Sequence, residues 1–131
     1  MNKSLFVFGI ALLFTSCLGY YPKGIFTPTK EGYKPDCAGN TAEVQLLFDG
    51  EPLSFEYERI GIIEIQGEYT GNETDQLKSL KALAQSKCCD AVIGIKKSYV
   101  KREVGLVVSN EPNQTYNAVS FSGVAVKKKV K

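Results

Sequence analysis

The chain has 131 residues, 44% of them hydrophobic and 23% charged. That is one domain's worth of ordinary globular composition, and it excludes a disordered tail or a multi-pass membrane protein. With no histidine, no tryptophan and a formal net charge of +2, the chain lacks the commonest general base and metal ligand, and it has no bulk field for a nucleic acid.

Lys3 precedes an apolar run at positions 5–14, LFVFGIALLF. The run is too short to span a bilayer, which takes about 20 residues, and it suits a secretory leader of roughly 7–15. Thr15 and Ser16 then lead into Cys17. This segment resembles the bacterial lipobox, with Phe14 where leucine is usual. The resemblance implies removal of residues 1–16 as a signal peptide and attachment of diacylglycerol and a further acyl chain, palmitate in type, at Cys17. Several chains are needed for stable anchoring, since each buried methylene contributes only about 0.8 kcal/mol. Leu18 stands where an aspartate retains enteric lipoproteins at the inner membrane. The expected location is therefore the outer membrane, lipid-anchored and facing the periplasm.

Residues 17–40 hold three prolines and four glycines after Cys17 without an apolar period, and they read as a flexible tether. A single domain is expected over 41–131. Its first strand is predicted at 44–48 (VQLLF), followed by turn chemistry at Asp49-Gly50-Glu51-Pro52. The run 60–66 (IGIIEIQ) is β-branched on both parities, as in a central strand covered on both faces. N-cap donors at 70–74 precede a predicted amphipathic helix over 74–87, with Leu77, Leu80, Leu83 and Ala84 on its apolar stripe. Ala91, Ile93 and Ile95 alternate onto one face of the next strand, which Val104, Leu106 and Val108 continue. The pattern resumes at 116–128, making a long hairpin centred near Pro112. The expected fold class is α+β: a small mixed sheet with one amphipathic helix on one face, in the order β-β-α-β-β, including a β-α-β crossover.

Three segments carry a family resemblance: Tyr57-Glu58-Arg59-Ile60-Gly61-Ile62-Ile63, Cys88-Cys89-Asp90-Ala91-Val92-Ile93-Gly94-Ile95 and Ser122-Gly123-Val124-Ala125-Val126. In order and spacing they resemble a group of small bacterial α+β proteins described as heavy-metal-binding. More distantly they resemble the outer-membrane stress-sensor lipoproteins of the Rcs phosphorelay. The resemblance implies a tethered one-helix domain with disulfides, and a chain able to form homo-oligomeric rings. Cys88-Cys89 replaces that group's Gly-Ala at the helix end, putting a β-carbon where positive φ would be costly.

In an oxidising periplasm the default for Cys37, Cys88 and Cys89 is a disulfide. Cys37 is expected to pair with Cys88 or Cys89, which requires residues 36–39 to fold back onto the helix's C-terminal end. Cys88 is the choice, because Cys89 takes the small-residue slot before the buried strand. The alternative is a metal- or thiol-redox-handling protein using Cys88 and Cys89, although adjacent cysteines without histidine make a poor chelate. No catalytic residue, metal ligand or cofactor is predicted: there is no nucleophile–histidine pair or phosphate loop, and Glu56 with Glu58 reads as a solvated strand face. Residues 18–95 carry 7 Lys/Arg against 12 Asp/Glu, net −5, whereas 96–131 carry 8 against 2, net +6. A hairpin centred near Pro112 would gather Lys96, Lys97, Lys101 and Arg102 beside Lys127, Lys128 and Lys129. Such a basic patch would suit an envelope protein or an anionic envelope component, or simply protect a sheet edge. The expected function is a non-enzymatic, lipid-anchored periplasmic binding or envelope-sensing module.

Overall fold

A computed structural model describes residues 23–38, 42–68, 71–104 and 114–130. The leader, Cys17, the N-cap candidate Thr70, the turn around Pro112 and strand positions Leu106 and Val108 lie outside them. The protein is α+β, with five strands and one helix in the order β1 (Lys23–Pro28), β2 (Gln45–Phe48), β3 (Tyr57–Gln66), α1 (Glu73–Ser86), β4 (Ala91–Val104) and β5 (Gln114–Lys128). The sheet order is β1-β3-β5-β4-β2. It is mixed: β2 runs parallel to β4, and the other pairings are antiparallel. β3 and β4 flank the helix in sequence and run the same way, but β5 lies between them.

One strand more is present than the expected order contains. Residues 23–28, placed in the tether by composition, form the edge strand β1, with Lys23 opposite Gln66 and Pro28 opposite Gly61. An edge tolerates Pro28, which has no N–H to donate. Close approach is secured at Gly61, where a β-carbon would sit 2.6 Å from the Phe26 ring and 2.8 Å from Thr27 O.

Helix α1 starts at Asn72, whose Oδ1 accepts from Asp75 N–H at 2.8 Å, satisfying one orphan donor of the first turn. Leu80 and Ala84 are fully buried, while Leu77 and Leu83 are half-buried at the margin. The helix packs on one sheet face over Ile63, Ile65, Val92, Ile95, Phe121 and Ala125. On the other face, Ala91, Ile93 and Val126 form a smaller cluster under Leu47, Phe55 and Tyr57.

Two irregularities correct the strand-face expectations. A bulge between Arg59 and Gly61 resets the parity of β3, so Ile60 and Ile63 are both buried while Ile62 is 55% exposed. The β-branched run thus reflects a bulge, and β3 is not covered on both faces. In β4, Gly94 takes φ +61° at a second register shift. Ile95 is thereby turned to the helix face, opposite to Ala91 and Ile93.

Candidate functional site

The C-terminal end of α1 is closed by a left-handed stop that helices commonly use, with an uncommon residue in it. Cys89 N–H donates to Ala84 O at 3.1 Å and Cys88 N–H to Gln85 O at 3.0 Å, the paired hydrogen bonds of a Schellman stop. The left-handed residue is Cys88, at φ 60°, where glycine is usual and a β-carbon costs about 1 kcal/mol. Its side chain faces Cys37, and the pair stands at disulfide distance, with Cα atoms 4.9 Å apart. Two further contacts hold the same segment down. Tyr33 Oη donates to Lys87 O at 3.0 Å, and Lys127 Nζ donates to Asp36 O at 2.9 Å. Residues 29–37 therefore fold back over the end of α1 and the end of the sheet.

Cys89, the next residue, points into the main core and is fully buried. Burial, with Asp90 nearby, pushes its thiol up to about 11 from 9.0. It therefore remains protonated where a redox or metal-ligating cysteine would need to be a thiolate. Because the unfolded thiol ionises at the lower value, the unfolded chain binds fewer protons between pH 9 and about 11. Stability from this group is complete below pH 9 and is lost as pH rises towards 11, by about 1.4 kcal/mol per unit. Urea titrations from pH 8 to 11 should show Cys89→Ala lacking that part of the alkaline decline. Equal slopes in the two proteins would contradict the assignment.

The expected basic patch is not assembled. Val104 pairs with Gln114, which centres the hairpin at position 109, three residues before Pro112. Lys96 therefore lies opposite Ser122 and Lys101 opposite Asn117, while Lys127 and Lys128 pair with Glu58 and Tyr57 at the other end of the sheet. The hairpin cations are also dispersed among carboxylates. Lys96 is 3.5 Å from Asp49, Lys97 pairs with Glu73, and Arg102 bridges Glu68 at 2.8 Å and donates to Gly67 O at 3.0 Å. Lys101 is exposed on the hairpin. Lys128 donates to Gln45 at 3.2 Å and lies 4.5 Å over the Phe55 ring, and Lys129 is exposed.

What the structure does bring together is a different set. A cleft of about 150 Å³ opens between residues 29–36, the start of β3 and the end of β5. Lys30, Lys34, Arg59 and Lys127 line it together with Asp36 and Glu58, and Tyr33 and Ile60 supply apolar wall. Lys30 bridges Glu58 at 2.8 Å. That bond holds the Glu58 carboxyl below its usual range, helped by the charges of Lys129 and Lys127. Composition hid this cluster, because Lys30 and Lys34 fall in the segment read as tether. A signal existed in Cys37: once it is bound to the helix end, Lys34, three residues earlier, must come with it.

Among the described residues no three Cys, Asp or Glu side chains converge as a metal-holding group. Comparison with known family models, curated proteins and solved structures returns no match for this chain.

Proposed function

We propose that the chain is a non-enzymatic, lipid-anchored binding module of the periplasm, held at the outer membrane through Cys17 and presenting its domain to an envelope partner. The observation that carries this reading is the Cys37–Cys88 pair at disulfide distance, which suits an oxidising compartment. It agrees with the apolar run at 5–14 and the small residues before Cys17. Thiol or metal chemistry at Cys88 and Cys89 is less well supported, since Cys88 faces Cys37 and Cys89 is a buried thiol.

Mass spectrometry of the N-terminal peptide from membrane-extracted protein should show cleavage before Cys17 and an added lipid mass. Cys17→Ser should release the protein to the soluble periplasmic fraction. A serine variant that still partitions wholly with membranes would overturn the anchor.

A further inference from the structure

The cleft at the start of β3 has an uneven charge distribution. Four cations and two carboxylates line it, and Lys30 with Glu58 neutralise each other across its mouth. Lys127 spends one hydrogen bond on the backbone oxygen of Asp36, leaving that carboxylate as the remaining anion beside three cations. Lys34 and Arg59 are exposed and make no ion pair among the described residues. Between them lies apolar wall, with Ile60 buried and Tyr33 half-buried.

Cations around an apolar floor complement a peptide that alternates carboxylates with an apolar side chain, better than they complement a bare phosphate.

We infer that this cleft takes an acidic, extended segment of a protein partner, with carboxylates on Lys34, Arg59 and Lys127 and an apolar side chain against Ile60 and Tyr33. The inference rests on the reading of the chain as an anchored binding module and names the partner's chemistry.

The test uses the oxidised full chain in non-ionic detergent and a fluorescent peptide alternating Glu and Leu, followed by anisotropy at low and high salt. Wild type should bind in a salt-sensitive manner. Lys34→Glu with Arg59→Glu should weaken binding roughly a hundredfold or more, since two charge pairs are lost and each contributes about tenfold. The neutral pair Lys34→Gln and Arg59→Gln should weaken it less, and Lys101→Glu, on the hairpin, should leave it unchanged. All these positions are exposed, and a thermal melt confirms that each variant folds. Absent binding, or binding indifferent to the cleft variants, would overturn the inference. So would preferential binding to phosphatidylglycerol vesicles, or displacement of the peptide by inorganic phosphate beyond that by chloride at the same ionic strength, if either depended on Lys34 and Arg59. Peptide binding by the Cys17→Ser chain is independent of anchoring, so a failed cleft and a failed anchor give different results.

Discussion

Removing the Cys37–Cys88 link, by Cys37→Ala with Cys88→Ala, is expected to lower the unfolding free energy by about 4 kcal/mol. The two positions are 51 residues apart in sequence, and a cross-link of that span removes about this much from the entropy of the unfolded chain. Urea unfolding without reductant measures it. Dithiothreitol should bring wild type to the stability of the double variant and leave the variant itself unmoved. The left-handed backbone at Cys88 gives an internal check. Cys37→Ala with Cys88→Gly should be about 1 kcal/mol more stable than the alanine pair, because glycine takes φ 60° without strain. A urea midpoint indifferent to reductant would mean that the two sulfurs are not joined.

Leu80→Ala is expected to cost about 2–5 kcal/mol, the range for truncating a leucine in a packed core. Leu80 is fully buried and belongs to the cluster holding Ile63, Ile65, Val92 and Phe121. Helix and sheet therefore both border the cavity, and neither collapses freely into it. Leu83 is half-buried, lying over the β1 backbone at Gly24. Truncating it should cost less than half as much. Urea midpoints at constant m-value read both effects. Equal losses at the two positions would mean that the helix is rotated from the orientation described.

Local patterns in the sequence account for what was legible. The stripe of Leu77, Leu80, Leu83 and Ala84 marked the helix to within a residue at each end, 74–87 against Glu73–Ser86. Cys37 is expected to meet Cys88 or Cys89, with Cys88 the choice because Cys89 fills the small-residue slot, and Cys88 is the one at disulfide distance. Other features depended on contacts that no window contains. β1 is six residues bounded by prolines, and its partner in β3 is some forty residues away, so only pairing gives it an identity. The faces of β3 and β4 reverse at the Arg59–Gly61 bulge and at Gly94. A residue added to one strand flips every later side chain. Centring the hairpin on Pro112 misplaces its midpoint by three residues, because the Val104–Gln114 pair sets it at 109. That shift doubles across the two strands, and it moved the partner of Lys96 from the neighbourhood of Lys128 to Ser122. The cleft cations come from three separate stretches and carry no common motif.

The position of Cys37 also governs how the protein bears mechanical load. Tension applied on the chain before Lys23 would first peel β1 from β3, opening six register pairs in turn, and then break the Tyr33–Lys87 contact. That would spool out residues 23–36, roughly 48 Å of extended chain. Extension then stops at Cys37, where the sulfur bridge passes the force directly to Cys88. Positions 38–87, with β2, β3 and α1, are left slack on a covalent bypass. Only β4 and β5 remain in series. In the reduced protein the bypass is gone, and the same pull runs through the core.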